Sequence, residues 1–282
     1  MITELDLSSE KAKKQYYGID LMKFICAIFV VEIHVPPLKD ISPFFNYILG
    51  DYLGRLAVPF FFIASGYFLF RKTNYDYFDQ RISFLYVRKI LRIYLIWTFL
   101  YLIPMIYYLI WRKRKQGILY GIINIVKTVL IRGYRHLWYL HAVIIAVLII
   151  TILLKKKYKI QSILIIGMVL YLIGLLAQSW FGIIRPLEKN PFLWKSLKLI
   201  KKIIGTTRNG IFEGMLFLGI GMLFAYRNII IKFSYAVIGF FISMILMLAE
   251  AIFVNYFHFC RLTDMYLFLV PSAFFYFILC YM

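Results

Sequence analysis

The length of its apolar runs limits this chain more than any other feature. An α-helix needs about 20 apolar residues to cross a hydrocarbon core of about 30 Å. Runs of that kind recur near residues 19–37, 47–70, 93–111, 137–154, 160–180, 211–226, 231–254 and 264–282, bounded by charged or Pro/Gly-bearing segments. Barrel strands would alternate over about ten residues, whereas these runs are continuous, so helices are the expected spanning elements. Composition agrees: 63% of the 282 residues are hydrophobic and the mean hydropathy is +0.80, against about half apolar in an ordinary soluble domain. The expected fold class is all-α, a polytopic transmembrane helix bundle of about eight membrane helices, with a range of 8–10. Segment 117–133 (GILYGIINIVKTVLIRG) either crosses as well or lies along the surface as an amphipathic helix, because it is short and carries Asn124 and Lys127.

No linker or internal repeat divides the sequence, so residues 1–282 read as a single membrane domain. The first apolar run is longer than a signal-peptide core and lacks a small-residue cleavage site, so it is expected to stay as helix one. A formal charge of +20 would suggest nucleic acid in a soluble protein. Here the basic residues cluster at helix ends, where lipid phosphates are the expected partner and nucleic acid is not. For an eight-span chain with its N-terminus inside, Lys and Arg number 15 on the inner side and 16 on the outer, which decides nothing. Lys11, Lys13 and Lys14, with six basic residues after the second run, favour a cytoplasmic N-terminus at the cell membrane. Cys26, Cys260 and Cys280 lie in or beside apolar runs without paired spacing or a histidine cluster, so neither disulfide nor metal site is expected.

Ionisable groups inside apolar helices are costly, and each is a candidate for function. The first run holds Asp20, Lys23, Glu32 and His34. At 100° per residue, Asp20, Lys23 and His34 share a face and Glu32 points away; Lys23 and His34 lie roughly 16 Å apart along the axis. Asp20 and Lys23 can equally be an i,i+3 ion pair at the membrane edge. His34 is suited to general base catalysis near neutral pH, though a buried imidazole bonded across helices would look the same. The second run opens with Asp51 and Arg55 and continues through Pro59 to Ser65 and Gly66. Arg55 wants an anionic partner, which Asp51 or a substrate group supplies; Ser65 and Gly66 allow close approach of a neighbouring helix or a ligand. Arg88 and Arg92, with Lys89 beside them, sit one turn apart, a spacing that suits two phosphates of one ligand or lipid headgroups. HLWYLH places His136, Trp138 and His141 at a helix start, with Trp138 and Tyr139 expected as interface anchors. TRNGIFEG places Glu213 just inside a run, as a proton-handling group or a partner of Arg208.

The succession GIDLMKFICAIFVVEIHVPP, GRLAVPFFFIASGYFLF, VRKILRIY, HLWYL and TRNGIFEGMLFLGIGML resembles the acyltransferase-3 family of bacterial membrane acyltransferases. It is also similar to the membrane domain of vancomycin-resistance-type serine racemases, which belongs to the same family. The family's basic residue followed after ten residues by histidine is met by Lys23 and His34, its arginines at the start of the third helix by Arg88 and Arg92, and its Ser-Gly-aromatic helix end by Ser65, Gly66 and Tyr67. The resemblance implies transfer of an acyl group, commonly acetyl from acetyl-CoA, to a hydroxyl of an envelope glycan or a related small acceptor. His34 would be catalytic, and Lys23, Arg88, Lys89 and Arg92 would serve the coenzyme. Asp20, Arg55, Ser65 and Glu213 remain substrate or structural candidates. Family members usually have about ten membrane helices, so these 282 residues are expected to lack the last ones. Racemase relatives continue into a soluble pyridoxal phosphate domain not present in this stretch, and racemase chemistry is not expected of it. The competing reading is a transporter for a small amino acid such as serine, using His34, Asp20 and Glu213 for proton coupling. Oligomeric state and acceptor identity are not legible.

Overall fold

The computed structural model describes residues 16–107, apart from 37 and 39, and residues 117–282. All regular structure among them is helical: α1 (Tyr17–His34), α2 (Pro43–Phe70), α3 (Gln80–Leu100), α4 (Leu102–Ile106), α5 (Ile118–Lys127), α6 (Arg135–Lys155), α7 (Ile160–Leu176), α8 (Phe181–Lys189), α9 (Pro191–Ile204), α10 (Gly210–Tyr226), α11 (Phe233–Tyr256) and α12 (Leu269–Tyr281). Residues 111–116, with their RKRK run, lie outside the described residues, as do Lys11, Lys13 and Lys14.

Three of these helices, α2, α6 and α11, are long and apolar enough to cross a membrane, and α7 with α8 makes a fourth if that pair, bent by 72°, is one broken span. On that measure the expected eight is not reached, although α10 and α12 are shorter apolar helices. The reason is local. The first helix carries Asp20, Lys23 and Glu32, and α3 carries Arg81, Arg88, Lys89 and Arg92, so neither offers a charge-poor window of spanning length. The helix α3 also lies well before the expected 93–111, because Asp79 caps its start by accepting from the Arg81 backbone N–H at 2.8 Å and it breaks at Tyr101 ahead of Pro104. Segment 117–133 forms α5 and a wider turn over Thr128–Arg132. The Tyr94 hydroxyl donates to the Val129 carbonyl, and the His141 ring pairs with that of Leu130, so the turn is pinned to α3 and α6. Between the runs 160–180 and 211–226, the chain forms α8 and α9.

The centre of the bundle is the pair α2 and α10, surrounded by α1, α6, α7 and α12, with α3 outside α6 and α11 outside α12. A Cβ on Gly66 would collide with the Leu218 carbonyl, and one on Gly221 with that of Ile63. Gly66 thus serves the approach of two helix backbones rather than a ligand. Phe60, Phe62, Ile63, Phe217 and Leu218 on these two helices are fully buried.

Candidate functional site

Two backbone irregularities open the bundle at one end. The helix α2 begins with Ser42 accepting from Phe45 N–H and Pro43 at its first position, then widens over Tyr47–Tyr52 and tightens over Leu53–Leu56 before running regularly from Ala57. Pro59 has no N–H for the Arg55 carbonyl one turn back, which disfavours regular helix there, and Arg55 stands in the tight turn Leu53–Leu56. The helix α10 starts with a wide turn, Gly210–Gly214, whose N–H groups at Ile211 and Phe212 are accepted by Asn209 Oδ1 at 2.9 and 3.0 Å. Arg55 and Glu213 stand on those two turns.

Between them lies a cavity of about 650 Å³. It is lined by the end of α1 with His34, by Gly54 and Arg55, by Trp97 and Tyr101 at the end of α3, by residues 136–140, and by Arg208, Glu213 and Asp264. His34, Trp97 and Tyr101 stand at the C-terminal ends of their helices and residues 136–140 and Glu213 at the N-terminal ends of theirs, which places the cavity toward one end of the bundle.

The His34 Nδ1 lies 2.7 Å from the Val30 carbonyl oxygen. A carbonyl can only accept, so Nδ1 carries the proton and neutral His34 keeps its lone pair on Nε2. The His136 ring stands perpendicular to it with centroids 6.0 Å apart, and His136 Nε2 is 2.9 Å from the Tyr101 hydroxyl. Arg55, with 11% of its side chain exposed, donates to Asp51 and to Asp264, each at 2.7 Å. Arg208 donates to the same Asp264 oxygen at 2.9 Å and lies over the Trp138 ring at 4.6 Å. Arg208 therefore pairs with Asp264, and among the described residues no ion pair joins it to Glu213. Glu213 is 1% exposed and its Oε2 has no hydrogen-bond partner, which leaves that oxygen for a ligand.

Of the residues expected from the sequence, His34, Arg55 and Glu213 come together in this cavity. Ser65 stands behind it, its Oγ 3.1 Å from the Tyr139 hydroxyl. Asp20 and Lys23 form an ion pair of 2.9 Å near the other end of α1, with Lys23 also over the Phe68 ring at 4.3 Å. Arg88, Lys89 and Arg92 are exposed on α3, away from the cavity lining. Glu32 does not line the cavity either. Trp138 and Tyr139, expected as interface anchors, are packed inward: Trp138 is 9% exposed beneath Arg208 and the Tyr139 ring lies against Phe61 and Phe62. Sequence reasoning missed Tyr101, inside the run 93–111, and Asp264, at the first position of the run 264–282, because a tyrosine in an apolar run and an acid at its edge are both ordinary.

A family model described as "Acyltransferase domain" matches residues 16–282. A serine/alanine racemase of Enterococcus gallinarum is 34% identical over 264 residues, covering 92% of this chain and 36% of the racemase. Two amino-acid racemases of Enterococcus faecalis are 33% and 32% identical over 267 residues, covering 93% and 92% of this chain and 36% and 35% of their own lengths. The chain thus spans about a third of the length of these curated relatives. No solved structure matches it.

Proposed function

We propose a function from one established premise: the chain belongs to the acyltransferase-3 family. With its apolar helices, that membership makes it a membrane protein with an acyltransferase domain. The proposed activity is transfer of an acyl group, acetyl in the first instance, from acyl-CoA to a hydroxyl of a cell-envelope glycan or a related small molecule. The protein is read as multi-pass in the cell membrane, with a cytoplasmic N-terminus.

The observation that carries this reading is His34, with Nδ1 committed to Val30 and Nε2 left as a base in a cavity shared with Arg55, Arg208 and Glu213. The acceptor hydroxyl loses its proton to His34 as its oxygen attacks the thioester carbonyl carbon. When the C–S bond breaks, the proton passes to the departing thiolate. Arg88, Lys89 and Arg92 are assigned to the coenzyme phosphates. Their support is chemical: they are exposed, and no ion pair holds them among the described residues.

Calorimetry of acetyl-CoA with detergent-purified protein tests the reading. Binding that is lost in Arg88→Ala/Arg92→Ala and kept in His34→Ala supports it. Absence of binding to well-folded wild type overturns it.

The second reading, uptake of a small amino acid such as serine, is favoured by the relatives' printed names and by opposite charges around one small cavity. Serine uptake into proteoliposomes that is lost in Glu213→Gln and unaffected by Arg88→Ala/Arg92→Ala would select it.

A further inference from the structure

We infer that His136, oriented by Tyr101, is a second catalytic residue whose ring N–H holds the thioester carbonyl oxygen while His34 takes the proton of the attacking hydroxyl. The inference rests on the acyltransferase reading above. It begins with what each ring has left to offer. His34 spends its N–H on Val30 and keeps an acceptor, Nε2. His136 Nε2 is paired with the Tyr101 hydroxyl. A phenol is the better donor of the two and an imidazole nitrogen the better acceptor, so Tyr101 donates and neutral His136 carries its own proton on Nδ1. One ring therefore presents a base and the other a donor.

The two rings stand on different helices, edge to face at 6.0 Å between centroids, and no hydrogen bond joins them among the described residues. Acyl transfer needs this pairing of functions: a base for the hydroxyl, and a donor where the carbonyl oxygen gains charge. The other cations are engaged elsewhere. The two terminal nitrogens of Arg55 are taken by Asp51 and Asp264. Arg208 is held by Asp264 and lies on Trp138. Lys23 is paired with Asp20, roughly 16 Å down α1 from His34.

The backbone beside His136 is also specialised. Gly133 has φ 70° and Arg135 has φ 47°, the latter a conformation that costs a non-glycine residue free energy. These two residues turn the chain sharply into the tight turn Arg135–Leu137, which carries His136 to the cavity.

In the step itself, the acceptor oxygen forms a bond to the carbonyl carbon and its proton goes to His34 Nε2. The C=O π pair moves onto the carbonyl oxygen, which accepts from His136 N–H. Collapse restores the C=O bond and breaks C–S, and the sulfur leaves with the proton returned from His34. His136 stays neutral throughout.

Isotope-edited infrared spectroscopy of acetyl-CoA labelled with ¹³C at the thioester carbonyl, bound to the full chain in detergent, reads the hydrogen bond without any acceptor. In wild type the carbonyl band should sit at lower wavenumber than in His136→Phe, which keeps a ring and loses the donor. His136→Gln, which keeps an N–H, should restore part of the shift; Tyr101→Phe should weaken it, and His34→Ala should leave it in place. These variants guard against a misfolded His136→Phe. Bound acetyl-CoA whose band is the same in wild type, His136→Phe and Tyr101→Phe overturns the role of His136 and leaves the acyltransferase reading standing. Failure of wild type to bind acetyl-CoA overturns both.

Discussion

Replacing Asp264 with alanine tests whether a single carboxylate ties the open end of the bundle together. Its Oδ1 accepts from Arg55 at 2.7 Å and from Arg208 at 2.9 Å, joining the segment before α12 to α2 and to the start of α10. Removing one partner from a buried ion pair costs about 3–5 kcal/mol, because the other charge is left desolvated. Two features lower that figure here. Arg55 keeps Asp51, and Arg208 is 34% exposed, so solvent screens its loss. The expected cost is then about 2–3 kcal/mol, or about 4–6 °C in unfolding temperature at about 2 °C per kcal/mol for a chain of this size. Asp51→Ala provides the internal control. Its side chain is 46% exposed, so its loss should cost about 1 kcal/mol or less and move the transition by about 2 °C. Both would be measured by thermal unfolding in one detergent at one scan rate, because unfolding of a membrane protein is read as a rate as much as an equilibrium. Equal shifts for the two variants would refute the reasoning, as would a shift for Asp264→Ala below about 2 °C. Arg55→Met with Asp264→Ala should cost less than the sum of the two single changes, since each single change already removes the one Arg55–Asp264 pair.

Three further outcomes follow from the packing and capping. Gly66→Ala and Gly221→Ala each force a methyl group against a backbone carbonyl of the facing helix and should destabilise by about 1–3 kcal/mol, read in the same unfolding assay. Glu250 accepts from Trp180 Nε1 at 2.6 Å and from the backbone N–H groups of Leu267 and Phe268 at 2.7 and 3.0 Å; Glu250→Ala orphans all three donors, at about 1–3 kcal/mol each if water does not replace the carboxylate, and amide exchange at Leu267 and Phe268 should accelerate. Asn209→Ala removes the cap from α10 and should cost about 1 kcal/mol, with a loss of ordering at Glu213 detectable as faster amide exchange across residues 211–214.

Much of the fold was legible because apolar run length and helical rise are tied by geometry. The runs at 137–154, 211–226 and 231–254 correspond closely to Arg135–Lys155, Gly210–Tyr226 and Phe233–Tyr256. The third run misled because hydropathy sees only its apolar half, while α3 begins at the Asp79 cap and runs through Arg88 and Arg92. The helix α9 was hidden for a similar reason, since its lysines keep it out of any apolar run. At the site, His34, Arg55 and Glu213 stood out as ionisable residues inside apolar helices. Asp264 did not, because it stands at the very edge of the run 264–282, where an acidic residue is ordinary; only the fold brings it against Arg55 and Arg208. The place of Arg88 and Arg92 illustrates the converse: their i,i+4 spacing was plain in the sequence, and spacing says nothing about which part of the bundle they face.

The distribution of irregular backbone links fold to site more closely than the charges do. The wide and tight turns of α2 over Tyr47–Leu56, the wide first turn of α10 and the tight turn Arg135–Leu137 all lie at the cavity end. A wide turn leaves helical carbonyls and N–H groups imperfectly paired, which is tolerated in an apolar bundle only where protein polar groups or a water-filled cavity can meet them. Here Asn209 meets two such N–H groups, and Gly54 and Arg55 of the tight turn of α2 line the cavity. The regular stretches from Ala57 to Phe70 and from Met215 to Tyr226 carry the close helix contact and the fully buried aromatic residues. The same two helices therefore divide their labour along their length: the regular halves hold the bundle together, and the irregular ends turn Arg55 and Glu213 toward the space that His34 faces. A substitution that restored regular helix through Arg55, such as Pro59→Ala, should leave the bundle folded while rotating Arg55 away from Asp264. In that variant, Asp264→Ala should lose most of its effect on unfolding temperature; an undiminished effect would show that Arg55 owes its position to the ion pair and not to the backbone.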